Sequence, residues 1–164
     1  MGIAEIRTLV RRNDVTLPTI HIEICIFKDE FGFILNKSDY IAYWKQTALK
    51  DWDAVGHLFE NGDYLHALFF AHLVLEKLIK GHFVQDNVSD FPPRTHNLLL
   101  LISQTMLVPS AEQLRLLSQV NQFQIEGRYP DYKMTMFKIA TENYTQNLLN
   151  EIQLLKEWLD NKLP

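Results

Sequence analysis

From about residue 39 onward, apolar positions recur every three or four residues, which is the period of a helix. Ile41, Trp44, Ala48, Trp52, Val55 and Phe59 make one stripe, with Lys45, Lys50, Asp53 and Glu60 off it. Ser38 or Asp39 can cap the start of this helix. Asn61-Gly62 predicts its end, because glycine accepts the left-handed closing residue, and Asp63 is placed to cap the next helix. That second helix, from about Tyr64 to Phe83, is apolar nearly all round and is therefore expected at the centre of the fold. Its few polar residues are His66, His72, Glu76, Lys77, Lys80 and His82.

The pattern lapses over 85–96, where Asn87, Asp90, Pro92 and Pro93 mark a loop. Thr95 is expected to cap a short helix through Leu98, Leu99, Leu101 and Ile102. Ser110 and Gln113 have the spacing of a capping box, opening a helix whose inner face reads Leu114, Leu117, Val120 and Ile125 and which Gly127 stops. Arg128-Tyr129-Pro130-Asp131-Tyr132 reads as a rigid connector. A last helix is predicted from about Thr135 to Asn161, with Phe137, Ala140, Tyr144, Leu148, Ile152, Leu155 and Leu159 inward.

Before residue 39 the period changes. Residues 3–12 have weak helical spacing, then Ile20, Ile22, Ile24 and Ile26 alternate with His21, Glu23, Cys25 and Phe27 as in a strand. Lys28 to Gly32 can turn the chain and Phe33-Ile34-Leu35 can return it, so this arm can form a β-hairpin. The simplest role for the arm is to cap the core; its free edge is a candidate docking site. The expected organisation is an arm over 1–38 and an all-α, up-and-down bundle of about five helices over 39–164.

Composition narrows the function. The 164 residues suffice for one domain, and 47% hydrophobic with 22% charged content excludes a disordered chain. A net charge of -4 excludes a general coat for nucleic acid, so contact with nucleic acid would need a local basic patch. A lone cysteine, Cys25, rules out an internal disulfide and fits a reducing cytoplasm. No apolar run approaches the ~20 residues that cross a bilayer, and no signal-peptide core is evident, so the expected setting is cytoplasmic, away from membranes.

Three clusters can carry chemistry. His72, Glu76 and Lys80 are spaced by four along one edge of the central helix. Ion pairing of Glu76 with Lys80 is a simpler reading than a metal site, which usually needs three or four protein ligands; no metal or other cofactor is expected. Charges on so apolar a helix must reach water or find partners, which places a polar seam beside the core. Pro93-Arg94-Thr95-His96 leads into a helix N-terminus, where free N–H groups suit phosphate. Arg128 can grip phosphate, and Tyr129 or Tyr132 can stack a base; alternatively Arg128 pairs with Asp131 and only holds the loop. There is no glycine-rich phosphate loop, metalloprotease helix motif or nucleophile elbow.

Five elements in order carry a family resemblance: Gly62-Asp63-Tyr64, Phe69-Phe70-Ala71, Glu76-Lys77-Leu78-Ile79-Lys80, Pro93-Arg94-Thr95-His96-Asn97-Leu98 and Arg128-Tyr129-Pro130-Asp131. Together they resemble the HEPN domain (higher eukaryotes and prokaryotes nucleotide-binding) over about residues 40–162. The resemblance implies a helical bundle, often a homodimer, linked to nucleotides or RNA. Many relatives act beside a minimal nucleotidyltransferase as toxin–antitoxin pairs, and others are metal-independent endoribonucleases. The nucleases place a histidine after an arginine and a gap of four to six residues. Here Arg128 is followed at those positions by Lys133, Met134 and Thr135, so the usual acid–base group is missing. Leu75 and Gly81 also stand where alanine is more usual.

The expectation is thus a binding module for a nucleotide, RNA or a nucleotidyltransferase partner, acting through Lys80, Thr95, His96, Arg128 and Tyr129 and forming a homodimer. The alternatives are a degenerate, metal-independent endoribonuclease using Arg128 and His96, and a structural dimer without a ligand. The incomplete arginine–histidine motif weighs against an enzyme.

Overall fold

A capping box at Asn36 starts the bundle. Asn36 Oδ1 accepts from the Asp39 backbone N–H at 3.0 Å, and Asp39 Oδ2 accepts from that of Asn36 at 3.1 Å. The cap therefore lies two residues before Ser38, because Asp39 serves as the returning carboxylate. The computed structural model describes residues 36–129 and 131–164. The strands and docking edge expected in the arm lie outside the described residues.

Helix α1 spans Lys37–Glu60 and α2 spans Tyr64–Asp86. Gly62, at φ +81°, closes α1: its N–H donates to Phe59 O at 3.0 Å and that of Asp63 to Leu58 O at 2.8 Å, a Schellman motif. Asp63 occupies the cap of α2 without a side-chain capping bond. The tight turn folds α1 against α2 in the most extensive helix contact of the fold. As predicted, α2 is the central helix: it touches α1 and four other helices, with Leu65, Leu68, Leu75, Leu78 and Ile79 buried along it. Each such side chain contributes about 1.5–3 kcal/mol by leaving water. Gly81 has a packing reason, since a Cβ there would lie 3.1 Å from Leu163 Cδ1.

The short α3 spans Leu98–Ile102, α4 spans Ala111–Val120 and α5 spans Phe123–Glu126. The Ser110–Gln113 capping box forms as the sequence predicts. The single helix expected after it breaks at Asn121–Gln122, which turns Ile125 to solvent; Leu114, in α4 itself, is also exposed rather than inward. The last predicted helix is also two, α6 over Thr135–Ile139 and α7 over Glu142–Asp160. Thr141 caps α7 by accepting from the Tyr144 N–H at 3.3 Å, which ends α6 early and leaves Phe137 on the surface. Leu148, Ile152, Leu155 and Leu159 of α7 close the core as expected.

The fold is all-α, with seven helices and no strand among the described residues. None of these helices is long and apolar enough to cross a membrane.

Candidate functional site

Glu76 of α2 is 5% exposed, in surroundings that would normally exclude a charge. It is accommodated by partners from two directions. Lys80 Nζ, one turn along, donates to Oε1 at 2.7 Å. His96, from the loop before α3, donates from Nδ1 to Oε2 at 2.9 Å. A carboxylate only accepts, so Nδ1 of His96 carries the proton and Nε2 is left for solvent or ligand. Burial would raise the Glu76 pKa, but the hydrogen bonds and charges of Lys80 and His96 outweigh it and hold the carboxyl below its ordinary range.

His72 lies behind this pair, fully buried, with neither ring nitrogen hydrogen-bonded. Its Nε2 is 3.4 Å from Glu76 Oε2. Burial pushes its pKa from the ordinary 6.5 down to about 4; Glu76 opposes the shift, while His96 and Arg128 add to it. At neutral pH His72 is therefore uncharged, and its closeness to Glu76 is not an ion pair.

Arg128 reaches α2 because its neighbour is glycine. A Cβ on Gly127 would fall 2.8 Å from Phe69 Cβ and 2.9 Å from the Phe123 carbonyl oxygen. The connector can therefore press against α2, and the Arg128 guanidinium stands 5.5 Å from the Phe69 ring centroid. Arg128 does not pair with Asp131, whose carboxylate accepts from the backbone N–H groups of Lys133 and Thr135 at 2.6 and 3.2 Å.

An open cleft of about 400 Å³ lies in front of His96. Arg94, Thr95, His96 and Asn97 form one wall, and Asn121, Gln124 and Ile125 form the other. The volume is in the range of small-ligand sites. Two asparagines tie the walls together. Asn97, not Thr95, caps α3, its Oδ1 accepting from the N–H groups of Leu99 and Leu100 at 3.0 and 3.1 Å. Thr95 Oγ1 instead accepts from the Asn97 N–H at 3.2 Å, in the turn just before. Asn121 Oδ1 accepts from the Leu98 N–H at 2.9 Å, and its Nδ2 donates to Asn97 Oδ1 at 3.0 Å. With Leu101 N–H bonded to Asn97 O at 2.9 Å, all four leading N–H groups of α3 are satisfied. The helix end therefore has no N–H to offer an anion, contrary to the expectation from sequence, and any grip must come from side chains.

Those side chains are rich in donors. Arg94 has no hydrogen-bond or ion-pair partner among the described residues. The Thr95 hydroxyl hydrogen and the Asn97 amide hydrogens are likewise uncommitted. Such a lining suits a ligand rich in acceptor oxygens.

The predicted residues divide accordingly. Thr95 and His96 line the cleft. Lys80 is engaged with Glu76 and stands over the Trp44 ring at 5.5 Å, so it acts behind His96. Arg128 stands against the Phe69 ring on α2, and Tyr129 is 77% exposed. The sequence pairs Glu76 with Lys80, and offers water, Arg128 or Tyr129 as further partners; its bond to His96, 20 residues on, has no local signal in the chain. Asn121 and Gln124 were missed for the same reason. Among the described residues, no group of three or more His, Cys, Asp or Glu is arranged to hold a metal ion.

The HEPN domain family model matches residues 41–162. The chain belongs to the HEPN domain family. No curated protein and no solved structure matches it. Membership ties the bundle, at the level of the family, to nucleotides and RNA, and HEPN domains often dimerise or act with partners. In this HEPN domain the positions where nuclease relatives carry histidine form the turn into α6. Met134 holds a left-handed backbone there, at φ 54°.

Proposed function

We propose that this HEPN domain is a binding module for a phosphate-bearing ligand, a nucleotide or RNA, held in the cleft between the α3 loop and α5. The observation that carries this reading is the His96 imidazole, fixed by a buried carboxylate at the mouth of a donor-rich cleft. Arg94, Thr95 and His96 contact phosphate oxygens. Arg128 adds charge from the adjoining connector, Tyr129 offers an exposed ring for a base, and Lys80 positions His96 through Glu76. Titration calorimetry with a mononucleotide and with short single-stranded RNA tests this. Binding that His96→Ala and Arg94→Ala each weaken by tenfold or more, roughly the worth of a charge-assisted hydrogen bond, supports it. No heat with either ligand overturns it and moves the search to a protein partner such as a nucleotidyltransferase, as in toxin–antitoxin pairs of the family.

One observation favours endoribonuclease chemistry as a second reading. Glu76 fixes the proton on His96 Nδ1 and leaves Nε2 for proton transfer, as carboxylate–histidine pairs do in hydrolases. His96 would then replace the histidine that the sequence lacks after Arg128, and Arg128 would neutralise the phosphate. Metal-free incubation with an RNA pool decides: cleavage abolished by His96→Ala and by Arg128→Ala supports it, and an intact pool retires it.

The homodimer expected from the family has a candidate surface. Helix α6 buries no residue of its own, and Tyr132, Met134 and Ile139 around it are exposed. Sedimentation at tens of micromolar is expected to give a dimer that Ile139→Asp dissociates. A monomer in the unchanged protein ends this reading.

A further inference from the structure

We propose that the cleft takes up a proton with each phosphate it binds, through His96, so that pH regulates how tightly the ligand is held. This rests on the phosphate-binding reading above and adds its regulation. The hydrogens on one ring decide it. Glu76 Oε2 accepts from His96 Nδ1 at 2.9 Å, while Lys80 holds Oε1 of the same buried carboxylate at 2.7 Å. A neutral imidazole has a single N–H, and here Glu76 holds it. The nitrogen turned to the cleft, Nε2, is then a bare lone pair. A phosphodiester oxygen also only accepts, so the two repel. His96 therefore reaches a phosphate oxygen only as imidazolium, with a hydrogen on each nitrogen. The ring then stands between two anions, and both favour its second proton. A phosphomonoester dianion meets the same requirement, and the extra proton counts alike whether it rests on Nε2 or on the phosphate.

The other charged groups around the ring do not change with it. On α2, Glu76 and Lys80 pair with each other, and buried His72 is uncharged at neutral pH. Arg94 on the loop and Arg128 on the connector are fixed cations. The facing wall, Asn121, Gln124 and Ile125, carries no charge. The complex thus holds more protons than its separate parts, so affinity rises as pH falls. Arg94 attracts phosphate at every pH, so binding weakens towards alkali without vanishing.

The test is titration calorimetry with a short single-stranded RNA bearing hydroxyl ends, at about pH 7.5, where an ordinary imidazole is mostly uncharged. The diester phosphates of this probe do not titrate there, so any proton taken up goes to the protein. HEPES and Tris absorb different heats on giving up a proton, so the difference in apparent binding heat between them counts protons. The unchanged protein is expected to take up as much as one proton per site. Its Kd is expected to tighten by up to roughly tenfold per pH unit as pH falls. Glu76→Gln removes the charge that keeps the hydrogen on Nδ1. The neutral ring is then free to carry it on Nε2, and binding is expected to continue with little uptake, read on protein whose circular dichroism is unchanged. His96→Gln keeps an amide donor but has no ring to titrate; it is expected to bind more weakly with uptake near zero. Arg94→Gln is expected to weaken binding and keep the uptake. Equal heats in the two buffers, or a Kd flat with pH, overturn the proton reading and leave phosphate binding standing. Uptake that persists in His96→Gln puts the proton elsewhere and also overturns it. No binding in either buffer overturns both readings together.

Discussion

His72 and His82 lie on the same helix, both are buried, and burial lowers the pKa of both, yet their surroundings differ. His82 donates from Nε2 to Leu159 O at 2.9 Å, which fastens α2 to the last turn of α7. His72 has no hydrogen bond and lies against a buried carboxylate. At the end of α2 that carries His82 one ring nitrogen is bonded and only Nδ1 lacks a partner. The stretch with His72 and Glu76 tolerates a ring with both nitrogens orphaned and a buried charge. Polar groups kept at such cost in a core are commonly there for a ligand. The contrast marks the turn from His72 to Glu76 as the part of α2 where the proposed site would lie.

Breaking the carboxylate should have the largest effect. Glu76→Ala leaves Lys80 and His96 without their acceptor, and the loss of one partner of a buried pair costs about 3–5 kcal/mol. Urea denaturation should show that loss, together with loss of ligand binding. A stability change under about 1 kcal/mol would mean that the seam is solvated and the contrast with His82 is false.

Acid should expose the same asymmetry. The unfolded chain protonates His72 near pH 6.5, while the folded one resists until about pH 4. Between these values the unfolded state holds the extra proton, so stability falls as pH falls, by roughly 3 kcal/mol across the window. Glu76, held below its ordinary 4.5, contributes stability above that pH and loses it as pH drops further. His72→Leu should flatten the decline between pH 6.5 and 4, leaving a smaller slope from His82, which is shifted the same way. An unchanged slope, measured by thermal melts across this range, would assign acid sensitivity elsewhere.

Gly127→Ala should come next. The new methyl meets Phe69 and the Phe123 carbonyl, and relief by a backbone shift costs about 1–3 kcal/mol. Ligand affinity should fall with it, since Arg128 is carried by the same turn. His82→Leu should be mildest, at about 1 kcal/mol for one hydrogen bond, because Leu159 O keeps the Asn161 N–H. It should leave ligand affinity unchanged; a loss there would merge the two ends of α2 into one functional unit.

Much of this was legible in the chain. The stripe on α1, the Gly62 turn, the all-round apolar α2 and the Ser110 capping box are local patterns, and local patterns survive folding. The Glu76–Lys80 pair was legible for the same reason. The breaks at Asn121 and Thr141 were not, since the apolar period runs through both and polar side chains overrode it. Nor was the site's main bond, Glu76 to His96, or the Asn97–Asn121 tie. These link residues 20 and 24 apart, and nothing in the flanking sequence announces which distant oxygen a donor will find.

The Leu98 amide hydrogen has a further use. It is held by the side chain of Asn121, so it can exchange with solvent only when the α3 loop and the α4–α5 break separate. Its exchange lifetime is therefore a clock for the opening of the cleft, already present in the unmodified chain. Followed by NMR in deuterated water, this one proton would report whether the two walls part before a ligand arrives or only after.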